Sequence, residues 1–87
     1  MKFRITRHAE EEITRRGIPR EFVDAVLKAP EEIIPGTGGK EVYQSQKVFE
    51  SGKVFLLRVV VDGRAEPPTV VTAYRTSKVD KYRRSQP

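Results

Sequence analysis

Between positions 54 and 61 the chain reads Val-Phe-Leu-Leu-Arg-Val-Val-Val, apolar everywhere except Arg58. The run is far too short, and too interrupted, to cross a membrane. It reads instead as the central strand of a sheet, over 54–62. Alternation places Phe55, Leu57, Val59 and Val61 on one face, which should pack on helices, and Val54, Leu56, Arg58 and Val60 on the other. Arg58 is the anomaly. A guanidinium in that setting must reach solvent past its neighbours or find an anion, because burying it unpaired is expensive. A carboxylate such as Glu12, reaching across the helix–sheet interface, is the structural partner on offer.

The helices that would cover this strand lie upstream. A short strand-like lead over 2–5 precedes Thr6, a helix N-cap, and a first helix over 7–16 in which Ile5, Ala9 and Ile13 fall on one side. Gly17 supplies the left-handed stop. Pro19 suits the first turn of a second helix over 20–29, whose Phe22, Val23, Val26 and Leu27 form an apolar stripe, and Pro30 ends it. Residues 31–35 add a short strand, 36–39 a glycine-rich loop, and 41–50 a strand that turns through Ser51-Gly52-Lys53 into the central one as a hairpin. After a loop over 63–68, a last strand over 69–76 carries Val70, Thr72, Tyr74 and Thr76 on one side and Val71, Ala73 and Arg75 on the other. The expectation is an α+β fold: two N-terminal helices on a curved antiparallel sheet of about four strands. Residues 1–87 form a single domain, with 77–87 a helical turn or tail that is flexible over 83–87.

Eighty-seven residues leave room for one core, and without cysteine there are neither disulfides nor thiolate metal sites. One histidine cannot assemble a zinc site, so no metal and no cofactor are expected. The start of the chain is too short and polar for a signal peptide; a cytoplasmic protein without membrane contact is expected. A net charge of +5 favours an anionic partner. Two motifs fail on inspection. Gly36-Thr37-Gly38-Gly39-Lys40 has the wrong spacing for a phosphate loop and precedes a strand. Glu10-Glu11-Glu12 points in different directions on a helix, which makes it a solvated face.

His8 is the only side chain whose unperturbed pKa suits acid–base work near neutral pH. Attack of an RNA 2′-hydroxyl on its phosphate needs a proton acceptor, a proton donor and a cation to stabilise the phosphorane. His8 would move protons, Arg58 and Lys78 would stabilise charge, and Thr76 would hydrogen-bond a phosphate oxygen. Tyr74 or Tyr82 would stack on a base or donate a proton. Arg75, Lys81 and Arg83 add cations beside them. This expectation requires His8, Arg58 and Lys78 to converge on one pocket.

The succession Arg7-His8-Ala9, Arg16-Gly17-Ile18, Val26-Leu27 before Pro30-Glu31-Glu32-Ile33-Ile34, then Tyr74-Arg75-Thr76-Ser77-Lys78 near Lys81-Tyr82, resembles a widespread family of small bacterial proteins of unknown function. That family looks like a branch of the RelE-like toxin superfamily, whose wider fold is shared by barnase-like and colicin-like ribonucleases. The resemblance implies a RelE-like domain with RNA against the sheet face away from the helices or along its end. It also implies a toxin-type, metal-independent endoribonuclease, often encoded beside an antitoxin that covers the active surface. By matching position, the functional residues fall on His8, Arg58, Thr76, Lys78 and Tyr82. The competing expectation is a non-catalytic module of the same fold that binds RNA or an acidic protein segment. A DNA-associated regulator fits poorly, since the second helix spends its best face on the core.

Overall fold

The computed structural model describes residues 2–82. The chain begins with a two-residue strand, β1 (Arg4–Ile5), and helices α1 (Arg7–Arg15) and α2 (Arg20–Lys28). Strands β2 (Glu32–Pro35), β3 (Glu41–Val48), β4 (Val54–Asp62) and β5 (Thr69–Thr76) follow, and a four-residue helix, α3 (Val79–Tyr82), closes the described chain. Each boundary has a local cause. Thr6 caps α1 by accepting from the Ala9 backbone N–H at 3.0 Å, and Gly17 leaves the helix with φ of 65°. Pro19 sits at the N-cap of α2, where its missing N–H costs nothing.

The architecture is α+β, but the sheet departs from the expected four antiparallel strands. It has five, in the order β1-β5-β4-β3-β2, and it is mixed: β1 pairs parallel with β5 while the other pairs are antiparallel. The lead strand is held beside the last one by backbone hydrogen bonds from Arg4 to the Pro68 carbonyl at 2.9 Å and from Thr6 to the Val70 carbonyl at 3.1 Å. α1 and α2 each end one residue before the expected position.

Alternation along β4 holds. Leu57, Val59 and Val61 are fully buried and join Ala9, Ile13, Ile18, Val23, Val26 and Leu27 from the helix layer in one core. Burial of each such valine or leucine stabilises the fold by roughly 1.5–3 kcal/mol. Alternation along β5 does not hold throughout, because the register slips between Val60 and Val61, opposite Thr72 and Val70. The extra residue is Val71, a bulge. Val70 therefore joins Ala73 in the helix-side core, whereas the sequence pattern placed it with Thr72, Tyr74 and Thr76.

The outer face, away from α1 and α2, is also partly closed. Leu56 and Gln44 are fully buried there, Arg58 is 7% exposed, and α3 lays Tyr82 across Arg58. Among the described residues no helix is long and apolar enough to cross a membrane.

Candidate functional site

A single cross-strand row on the outer face builds the site. β2, β3, β4 and β5 are registered so that Glu32 stands opposite Gln44, Gln44 opposite Arg58, and Arg58 opposite Tyr74. Neighbours in such a row lie close enough to hydrogen-bond directly. Arg58 Nε donates to Gln44 Oε1 at 2.9 Å, and Arg58 Nη1 donates to the Tyr74 hydroxyl at 2.5 Å. Gln44 Nε2 in turn donates to Glu32 Oε1 at 2.7 Å and to the Tyr82 backbone carbonyl at 3.0 Å. The Tyr82 ring covers the guanidinium carbon at 4.2 Å, with the Tyr74 ring 5.6 Å away.

The charge balance is unusual. Burying a guanidinium costs several kcal/mol, and a direct carboxylate contact is the usual compensation. Among the described residues Arg58 has none; its partners are an amide oxygen, a phenol and a ring. Nor does a described residue accept from its Nη2. Cation–π contact returns about 2 kcal/mol at best. Among the described residues, what remains is a positioned, desolvated cation with a donor edge that none of them uses, suited to an oxyanion such as a phosphate.

The residues singled out in the sequence divide. Tyr74, Thr76 and Tyr82 gather on the Arg58 side. Thr76 lies opposite Leu56, and its Oγ1 accepts from the Lys78 backbone N–H at 3.1 Å, so the hydroxyl shapes the turn into α3. Lys78 and Lys81 are exposed there, with Lys81 Nζ 5.4 Å from the Tyr82 ring centre. Arg83 lies outside the described residues, as does the tail over 83–87.

Two residues fall elsewhere. His8 is exposed on α1, in the helix layer, and does not meet Arg58. The expected convergence fails because strand alternation aims Arg58 away from the helices. His8 shares one stripe of α1 with Glu12 and Arg16, and Arg16 Nη1 donates to the Ala73 carbonyl of β5 at 2.7 Å. Glu12 accordingly serves Arg15 and Arg16 rather than Arg58, and its carboxyl lies below the usual range, first because of the Arg15 hydrogen bond. Its neighbours Glu10 and Glu11 pair separately with Arg20 and Arg7, as expected of a solvated face. Arg75 also turns to the helix side, where its guanidinium carbon lies 4.4 Å from the Phe49 ring and 4.7 Å from Phe55.

Sequence reasoning passed over Gln44 and Glu32. Hairpin arithmetic held the signal: Val48 pairs with Val54 across the turn, so four residues back along each arm Gln44 must face Arg58. A buried polar pair in register across a hairpin is a stronger marker than either residue alone.

Residues 5–75 match the model of a protein family described as a domain of unknown function, DUF4258. No curated protein and no solved structure matches the chain.

Proposed function

The chain belongs to the DUF4258 family, whose model spans most of it, and from the chemistry of its own site we propose that it is an RNA-binding protein of RelE-like, toxin type. One observation carries the reading: Arg58 is 7% exposed, held in place by neutral groups, and keeps a donor edge that no described residue uses. A phosphodiester supplies the missing anion. Tyr82 and Tyr74 flank that position with rings on which bases stack, and exposed Lys78 and Lys81 add sequence-independent attraction to the backbone. The toxin reading brings with it a cytoplasmic setting and a cognate antitoxin, which a short acidic protein encoded in the neighbouring reading frame would support.

Binding of labelled single-stranded RNA, read by fluorescence anisotropy, tests this. Arg58→Gln removes a charge-assisted hydrogen bond of about 1.5–3 kcal/mol, so affinity should fall about ten- to a hundredfold. Unchanged affinity would remove Arg58 from the site.

The short bond between Arg58 Nη1 and the Tyr74 hydroxyl favours a second reading, metal-independent RNA cleavage. The hydrogen bond from Arg58 to this hydroxyl sets a cation and a proton-bearing oxygen side by side. In that mechanism the 2′-oxygen gives its proton to a solvent base as it bonds to phosphorus, the bond to the 5′-oxygen breaks, and Tyr74 protonates the leaving oxygen and regains its proton from solvent. Arg58 offsets the charge of the phosphorane between these events.

A further inference from the structure

Where β3 turns into β4, a second cationic cluster stands on the helix side of the sheet. Phe22, Phe49 and Phe55 pack edge to face, with ring centres 5.2 and 5.3 Å apart. Three cations rest on them. Arg75 lies between Phe49 and Phe55, Lys47 Nζ is 5.8 Å from the Phe22 ring, and Lys53 Nζ is 5.4 Å from Phe55. The ion pair formed here among the described residues is between Arg75 and Glu50, at 3.6 Å, and the Glu50 side chain is 77% exposed. Three positive charges thus face one loosely held negative one.

The rings also fix how these charges are presented. The Arg75 guanidinium lies near two phenyl rings set 81° apart, its side chain stays 28% exposed, and no described residue accepts a hydrogen bond from its fork of N–H donors. Such a fork matches two phosphate oxygens without further ordering of the side chain. Arg75 and Tyr74 are consecutive on β5, so a strand crossing the end of β5 from the Arg58 face arrives at this cluster. A polyanion can therefore contact both faces without bridging the core.

We infer that the hairpin end is a second phosphate-contact surface, on which RNA leaving the Arg58 site continues around the sheet end onto Arg75, Lys47 and Lys53. The inference rests on the RNA-binding reading and extends it from one phosphate to a path. Its experiment compares the salt dependence of binding for wild type and the Lys47→Gln/Lys53→Gln double variant, each shown to be folded by thermal melting. Two single-stranded RNAs are used: a short one that spans the Arg58 face and a longer one that reaches the hairpin. For the longer RNA the slope of log affinity against log salt should drop by about 1.4, at about 0.7 per lost phosphate contact. For the short RNA the slope should not change. An equal slope for variant and wild type on the longer RNA overturns the inference while leaving the Arg58 site intact. Binding of neither RNA by wild type overturns the RNA-binding reading itself. Displacement of the long RNA by polyglutamate as readily as by unlabelled RNA assigns the surface to acidic protein segments and also overturns the inference.

Discussion

Arg58 and Arg75 occupy adjoining rows of the β4–β5 pair, Arg58 opposite Tyr74 and Arg75 opposite Leu57, and both have aromatic rings around the guanidinium. They differ in the face they occupy and in what else touches them. Arg58 sits under α3 with an amide and a phenol fixing two of its nitrogens, while Arg75 lies against phenylalanines and pairs loosely with exposed Glu50. The first arrangement fixes a buried charge with neutral hydrogen-bond partners; the second holds a partly exposed charge against rings and one loose ion pair. Ring contact alone does not distinguish a site from packing. The hydrogen-bonding partners and the degree of burial do.

The largest effect that tests this contrast is on chemistry. Tyr74→Phe removes the hydroxyl from the Arg58 cluster and keeps the ring, so RNA cleavage should fall about a hundredfold or more while RNA affinity holds. His8→Ala, on the helix side, should leave both untouched. Cleavage is measured on single-stranded RNA and on ribosome-bound RNA in the presence of a chelator. If His8→Ala abolishes cleavage and Tyr74→Phe does not, the chemistry belongs to α1. If wild type cleaves neither RNA, binding alone remains.

Stability should separate the two arginines in the opposite sense. Arg58→Met relieves the desolvation of a buried cation but leaves the acceptor of buried Gln44 without its donor, so the two effects oppose and melting should change less than for Arg75→Met. Arg75→Met forfeits two ring contacts and an exposed ion pair, a loss of about 1–2 kcal/mol, or roughly 5–15 °C in a domain of this size. Calorimetry on both variants measures the difference. Equal losses would mean that Arg58 contributes to stability as much as Arg75 does.

Much of this was legible in residue order. The two helices, the hairpin and the two faces of β4 followed from period and punctuation, because capping residues and alternation act over a few positions. β1 and the bulge at Val71 did not, since both depend on what the distant segment opposite requires. The site was half legible for the same reason. Arg58 declared itself by being charged in an apolar run, whereas Gln44 looked like an ordinary polar strand residue until register placed it opposite. His8 was the clearest candidate by chemistry and lies on the helix side, apart from Arg58, since one residue's chemistry carries no information about the direction of another side chain. Strand parity likewise puts Arg75 on the face opposite Tyr74, its neighbour in the chain.

The smallest effect uses a third arginine environment, one with a carboxylate. On α1, Glu12 Oε1 lies 2.6 Å from Arg15 Nη2 and 2.7 Å from Arg16 Nη2, and its pKa is lowered from the ordinary value of 4.5, first by the Arg15 hydrogen bond. A carboxyl that binds its proton less tightly when folded stabilises the fold above its unfolded pKa, and that contribution disappears as pH falls through the lower, folded pKa. Wild type and Glu12→Gln should therefore differ in melting temperature at neutral pH and converge below pH 4.5, by an amount typical of exposed pairs. The difference between wild type and Arg58→Met should show no such convergence tied to the arginine's own contacts, because its hydrogen-bond acceptors are an amide and a hydroxyl rather than a carboxylate. Parallel acid titrations of the three proteins make the comparison. An Arg58 difference that collapsed in the same window would mean that Glu32, one hydrogen bond further along the row through Gln44, is the anion Arg58 answers to.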